Sequence, residues 1–292
     1  MSSVNSAVPA NRRRSRASAT PGNNTPRHPW LYTLVAVLIV VAMLLPVLWM
    51  LSASFQAGVT QANMRWLPAR WSLSGYRDAL DDQLGNIGTS TVVALGAGAL
   101  SVAVAAPAAF ALARIRSRIV GVILVVVLIT QMIPGIVLSN AYYALFNKLG
   151  LLDTHLALIA ADASMGIPFA IIVLRSFMLR MDGEILEAAM LDGAGSLRTF
   201  VSVVLPLSRN SLITAGVFAF IYAWGDFLFG LTLTTGSDLR PVTLGVYQYI
   251  GAQQISWSSV MASSLLASVP AILLLVVSQR YIKAGLSAGS GR

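Results

Sequence analysis

The residues able to do covalent chemistry are scarce in this chain, and their spacing excludes most of it. There is no cysteine, so disulfide frameworks, thiolate metal sites and cysteine nucleophiles are out of reach. The two lysines, Lys148 and Lys283, are followed by Leu149 and Ala284, so no phosphate-cradling loop of the Gly-Lys-Ser/Thr kind is present. His28 and His155 lie far apart, and neither an HExxH nor a GxSxG pattern occurs. No catalytic residue, no metal and no cofactor bound by this chain is therefore expected. What remains is a small set of polar groups inside apolar sequence: Gln131, Asn140, Asp162 and Asp226, the last beside Tyr222 and Trp224. An ionisable side chain at membrane depth is costly and marks a candidate solute or ion path. Gln131, Asn140, Tyr222, Trp224 and Asp226 are the candidate path residues, with bridging between helices and an interfacial aromatic belt as the competing readings. Asp162 either meets a polar partner or faces a cavity.

The elements that carry these groups follow from composition. Of 292 residues, 56% are hydrophobic and 11% charged, where soluble domains carry about 25% charged residues. The mean hydropathy is +0.74. A helix needs about 20 mostly apolar residues to cross the hydrocarbon core. Six stretches qualify, approximately 30–51, 87–113, 119–138, 156–174, 212–231 and 260–278. The fold class is an all-α membrane protein with six transmembrane helices, and six crossings place both termini on one side.

The net charge of +9 is distributed by topology. Fifteen of the twenty basic residues fall in the N-terminal tail, the second-to-third loop, the fourth-to-fifth loop and the C-terminal tail. The other loops hold Arg65, Arg70, Arg77, Lys148 and Arg240. The positive-inside rule makes the first set cytoplasmic, and no nucleic-acid partner is expected; eighteen arginines against two lysines, with abundant alanine, point to a GC-rich bacterial genome and so to a bacterial cytoplasmic membrane. The tail 1–29, rich in Ser, Ala, Asn, Pro and Arg, is expected to be disordered. The apolar run behind it exceeds the core of a secretory signal, so the first helix is expected to stay uncleaved. The transmembrane body is expected over 30–285, followed by a short cytoplasmic tail at 286–292.

Pro46, Pro107, Pro134, Pro168 and Pro270 each remove a backbone hydrogen bond within a crossing and predict kinked, bundled helices. Gly96, Gly98, Ala103, Ala105, Ala106, Ala108, Ala109 and Ala111 give the second crossing a small-residue surface, read as packing contact.

One loop predicts structure of its own. Between Arg175 and Arg209, Asp182 is a plausible N-cap, Glu184 and Glu187 suit a helix start, and Gly193 to Gly195 end the run. Ile185, Leu186, Ala189 and Met190 fall on one face. Ser196 is expected to cap a second helix through Phe200, Val203 and Val204, ended by Pro206, which bends the chain back into the fifth crossing.

The run Glu187-Ala188-Ala189-Met190-Leu191-Asp192-Gly193-Ala194, followed by Phe200 and by Leu205-Pro206-Leu207, resembles the EAA loop of permease subunits of binding-protein-dependent ABC importers. Met132-Ile133-Pro134, Gly150 to Thr154, Phe220 to Trp224 and Ala284-Gly285-Leu286 resemble the maltose-G-like branch, which carries carbohydrates and related solutes. Gly225 departs from the branch, whose members commonly have Asn there, and the basic tail is not part of the pattern. The resemblance implies the type I importer permease fold, with six crossings, both termini inside and a cytoplasmic coupling helix. By the same resemblance, that helix docks in a cleft of the ATPase. Glu187 faces a basic group there, Ala188 and Ala189 permit close approach, and Asp192 and Gly193 form the turn. It implies as partners an ATP-binding cassette ATPase dimer that holds the ATP and Mg, a second, non-identical permease, an external solute-binding protein and the lipid bilayer. The outer loop 232–256, with Asp238, Arg240, Tyr247, Gln248, Tyr249, Gln253 and Gln254, is implied to reach the solute-binding protein, chiefly through Tyr247, Gln248 and Tyr249. Alternatives are the same machine carrying glycerol phosphate or a phosphodiester, and an ion-coupled secondary transporter with Asp162 as its midplane carboxylate.

Overall fold

The structure is a computed structural model and describes residues 29–58, 65–236, 239–251 and 256–287. Most of the expected basic tail, the last five residues, Asp238, Gln253 and Gln254 lie outside the described residues. Regular structure among the described residues is helical, apart from one antiparallel bridge between Gln56 and Trp71.

Among the described residues four helices are long and apolar enough to cross a membrane, and the number is six if each of two bent helix pairs is one span. The first crossing is α1 (Pro29–Ser54), an apolar run with Pro46 inside it. The chain divides within this helix into two units, one ending at Val47 and one beginning at Leu48. The second unit is a bundle built on α2 (Ser74–Arg114), α5 (His155–Met178), α9 (Arg209–Trp224) and α12 (Trp257–Ser287). The α2 helix packs against the other three, and α9 packs against both α5 and α12.

Small residues allow these approaches, as expected for helices that lack a hydrophobic drive to associate in lipid. Ala94, Ala97, Gly98, Ala105, Ala106 and Ala109 are buried on α2, whereas Ala103 and Ala111 are exposed. A Cβ on Gly98 would lie 3.1 Å from the Gly216 carbonyl oxygen, and one on Gly166 would lie 2.6 Å from Ser101 Oγ. Pro107, Pro168 and Pro270 sit inside α2, α5 and α12.

Four boundaries differ from those the apolar runs suggest. The α2 helix begins thirteen residues before the expected Ile87. Its first turns carry Asp78, Asp81, Asp82, Gln83 and Asn86, which lower the local hydropathy without breaking a helix. The third crossing is two helices, α3 (Arg118–Thr130) and α4 (Gly135–Leu149), bent by 90°. Pro134 has no N–H to continue the ladder and disfavours helical geometry in Ile133 before it. The fifth crossing stops at Trp224, and a short α10 (Leu228–Leu233) follows. The outer loop 232–256 holds a helix, α11 (Val242–Gly251). The sixth crossing agrees in place but begins at Trp257 and runs on to Ser287, beyond the expected 260–278.

Candidate functional site

The 175–209 loop folds as helix, turn and helix. In α6 (Gly183–Leu191), Asp182 Oδ1 accepts from the Glu184 N–H at 3.1 Å and starts the helix. At its end the Gly193 N–H donates to Met190 O and the Ala194 N–H to Ala189 O, both at 3.0 Å. Those two bonds form a Schellman closure around Gly193, whose φ of +80° suits a residue without Cβ. Asp192 and Gly193 therefore make the turn, as expected.

Only one apolar residue of α6 anchors the helix. Leu186 is 2% exposed and packs in a cluster with Leu174, Met178 and Val204. The expected apolar face is otherwise open: Ala189 is half-buried, Ile185 and Met190 are exposed, and Leu191 is 89% exposed. Glu187 and Ala188 are exposed beside them.

Beyond the turn, Gly195 rather than Ser196 holds the cap position of α7 (Ser196–Thr199) and forms no side-chain cap. The Thr199 N–H, in a fully buried residue, bonds Gly195 O at 2.9 Å. Phe200 packs in a tilted arrangement against Phe110 of α2, with ring centres 5.3 Å apart. The run does not end at Pro206. A π-helical stretch, Phe200–Val204, lets the Leu205 N–H reach Phe200 O, and a last turn, α8 (Leu205–Leu207), contains Pro206 at its start, where a missing N–H costs nothing. The bend into α9, 78° between the two helical runs, falls at Ser208. Arg175 Nε donates to Leu112 O at 3.2 Å, tying the loop's first end to the end of α2.

The candidate path residues do not form one cluster. Gln131 is exposed at the break between α3 and α4, and Asn140 is exposed on α4. Tyr222 is 47% exposed. Trp224 is 6% exposed, stacks on Phe220 at 5.5 Å and donates its indole N–H to Ala267 O of α12 at 3.1 Å. Asp226 follows the break at Gly225: its Oδ2 accepts from the N–H groups of Phe229 and Gly230 at 2.9 and 3.2 Å and so starts α10. Asp162 is buried in α5, and its Oδ1 has no hydrogen-bond partner.

At this end of the bundle the structure adds residues that sequence reading did not gather. Asp82, Gln83 and Asn86 of α2 face Arg240 and Gly245, Gln248 and Tyr249 of α11 around a polar cavity of about 440 Å³. Tyr249 OH donates to Asp82 Oδ2 at 2.7 Å, Arg240 donates to Gln248 Oε1 at 2.8 Å, and the Val242 N–H donates to Ser90 Oγ at 2.8 Å. Burial, and then the bond to the Asp82 carboxylate, pushes the Tyr249 phenol up to about 12. Tyr247 is 51% exposed, its ring 5.1 Å from Phe227. Asp153, at φ +58°, accepts from the Gly236 N–H and Thr235 Oγ1, both at 2.7 Å. Those two bonds hold its carboxyl below the ordinary aspartate value. The helical start of α2 was the missing signal: read as helix, it puts Asp78, Asp82 and Asn86 on neighbouring turns of one element.

Residues 101–287 match the family described as the binding-protein-dependent transport system inner membrane component, and the chain belongs to that family. It is 36% identical over 269 residues to a probable ABC transporter permease protein, y4oR, of Sinorhizobium fredii, covering 89% of this chain and 94% of that one. It is 29% identical over 260 residues to the trehalose/maltose transport system permease protein MalG of Thermococcus litoralis, covering 87% and 94%. The fold matches a chain in the crystal structure of a bacterial ABC transporter involved in the import of the acidic polysaccharide alginate, with a TM-score of 0.72 at 21% identity, over 86% of this chain and 95% of that one. The chain is thus a multi-pass membrane permease of the ABC importer kind, as its EAA-like loop implied.

Proposed function

We propose that this chain is one permease of an ABC importer that brings a carbohydrate into the cell, driven by ATP hydrolysed on a separate ATPase dimer. The observation that carries the reading is α6: a short helix closed by a Schellman turn at Gly193, anchored by Leu186 alone and otherwise presenting Ile185, Glu187, Ala188, Met190 and Leu191 to solvent. An apolar helix face left open at the end of a membrane bundle suits a protein partner. In this reading Glu187 meets a basic group of the ATPase, and Ala188 and Ala189 let the two surfaces close. Asp192 and Gly193 hold the turn, and the bend after Pro206 passes the movement into α9. Both termini and the 175–209 loop are cytoplasmic, in keeping with the distribution of arginines.

A second, non-identical permease completes the pathway, and a solute-binding protein outside delivers the cargo to Tyr247, Gln248 and Tyr249. Gln131, Asn140, Tyr222 and Asp226 line the path, with Trp224 setting the packing of α9 on α12. The relatives named for trehalose/maltose transport and for alginate import support a carbohydrate as cargo. ATP and Mg bind the ATPase only.

The test is uptake of labelled disaccharides into vesicles holding the full chain, its second permease and its ATPase, with the binding protein added outside. Uptake that requires internal ATP and the binding protein is expected. Uptake driven by an ion gradient without ATP, and abolished by Asp162→Asn, would replace this reading with that of an ion-coupled carrier.

A further inference from the structure

The segment that leaves α1 is unusual in both charge and display. From Phe55 to Arg77 the sequence holds Arg65, Arg70 and Arg77 and no acidic residue. These are three of the five basic residues on the side of the chain where the positive-inside rule expects few. All three are exposed, as are Trp66 at 64%, Leu67 at 77% and Trp71 at 72%.

This display is held in place. Gln56 pairs with Trp71 in an antiparallel bridge, the Ser72 N–H donates to Phe55 O at 2.8 Å, and the Ala57 N–H donates to Arg70 O at 3.3 Å. The Gln56 side chain brackets Arg65, donating to its carbonyl at 2.6 Å and accepting from its N–H at 3.2 Å. Ser52 Oγ donates to Trp66 O at 2.5 Å. Phe55 packs against Trp71 and Tyr76, with ring centres at 5.8 and 5.1 Å. Gly75 seats the start of α2 on α12, where a Cβ would stand 2.7 Å from Ser258 O. The result is a cavity of about 580 Å³ walled by Phe55, Trp71 and Leu73 on its apolar side and by Ser72, Ser74 and Arg77 on its polar side.

Depth decides what such a surface meets. The span of α1 ends at Ser54, so Phe55 and the bridge between Gln56 and Trp71 stand at the boundary of the hydrocarbon core. Exposed Trp and Leu there are placed in the acyl-to-headgroup layer, where indole rings are favoured. Guanidinium groups beside them reach the phosphate level, and Arg forms paired hydrogen bonds with phosphate oxygens. The nearest carboxylates, Asp78 and Asp81, follow Arg77 on α2, and none lies near Arg65 or Arg70 in sequence, so the segment favours lipids of net negative charge over zwitterionic ones.

We propose that the Trp66–Arg77 segment is a binding site for an anionic phospholipid of the leaflet on which it lies. The acyl chains rest against Trp66, Leu67 and Trp71, while Arg70 and Arg77 hold the headgroup phosphate, with Ser74, whose hydroxyl accepts from Ser72 at 2.9 Å, as a further donor. The site fixes the start of α2, and with it the polar cavity farther along that helix, relative to the membrane surface. It rests on the chain being a membrane permease and is independent of which solute is carried.

The experiment uses the full chain in nanodiscs of phosphatidylcholine with a minor fraction of phosphatidylglycerol, with one lipid at a time carrying brominated acyl chains. The Trp66 and Trp71 fluorescence is isolated as the difference between wild type and the double variant Trp66→Phe, Trp71→Phe. At equal mole fraction, brominated phosphatidylglycerol is expected to quench this component about fivefold more strongly, the local enrichment about one arginine near an anionic surface produces. Arg70→Gln with Arg77→Gln should bring the ratio near one, and Arg70→Lys with Arg77→Lys should keep most of it. Equal quenching by both lipids in the wild type would overturn the proposal by showing an interfacial segment without headgroup preference. Absence of quenching by either would overturn it too, by showing that a protein partner covers the segment.

Discussion

The two ends of the bundle are built by opposite means. At one end the 175–209 loop is a contiguous motif whose first helix is set by neighbours in sequence: Asp182 starts α6, Gly193 ends it, and Leu186 is the one deeply buried residue of that helix. At the other end the segments are joined across long stretches of chain. Asp153 holds Thr235 and Gly236, Ser90 holds Val242, and Asp82 holds Tyr249. The first end leaves an apolar helix face open, while the second spends its polar groups on internal bonds around a cavity. An open face at a point of single attachment suits a mobile contact with another protein, whereas interlocked loops suit a fixed mouth.

The comparison can be broken first at its single anchor. Leu186→Ala should remove about 2 to 5 kcal/mol of packing at the loop, by the cost of truncating a buried leucine. Limited proteolysis of the loop should accelerate strongly while the helices of the bundle stay protected. If α6 resists proteolysis as before, attachment of that helix by Leu186 alone is wrong. A smaller effect is expected at the turn. Gly193→Val places a β-branched residue at φ +80°, a strain of about 1 to 3 kcal/mol. ATP-driven uptake should fall tenfold or more with little change in the thermal transition of the bundle.

At the interlocked end the effects are smaller again. Asp226→Ala removes the acceptor for two backbone N–H groups and should cost about 0.5 to 2 kcal/mol, the usual worth of a helix cap. Hydrogen exchange of Phe229 and Gly230 should report it. The smallest effect is a pH dependence at Asp153. Its carboxyl is held below the ordinary 3.8, so its contribution is fully present above that value and is lost as pH falls through the lowered one. The protection factor of the Gly236 N–H, its exchange relative to the intrinsic rate at each pH, should fall in that acid range in the wild type and stay constant there in Asp153→Asn.

How much of each end was legible in sequence follows from the same contrast. The coupling-type loop was readable because its caps, its glycine turn and its motif lie within some thirty consecutive residues. What sequence could not show was that Ile185 and Met190 stay exposed, since periodicity marks a face but not what covers it. The body of the bundle was readable from apolar length alone. Its breaks were not: Pro134 was read as a kink and is a 90° turn between helices, and Gly225 with Asp226 ends one helix and begins another. The outer cluster was the least legible, because Asp82, Arg240 and Tyr249 meet only once α2 extends back to Ser74 and α11 forms. Polar residues at a helix end depress the apolar signal without weakening the helix. Trp224 reads in sequence as a path or belt residue, yet its indole is engaged by Ala267 O.

The most direct test of the account is contact between α6 and an ATPase. The chain has no cysteine, so Ala188→Cys and, as a control at the other end of the bundle, Asn140→Cys each give a single reactive thiol. Both full-length variants would be purified in mild detergent from membranes of cells that also produce its ATPase and second permease, then treated with a short thiol-to-amine cross-linker. The account predicts that Ala188→Cys joins the chain to a protein bearing a phosphate-binding loop, and that Asn140→Cys does not. An assembly that hydrolyses ATP but shows no cross-link from position 188 would contradict the claim that this helix is the point of coupling.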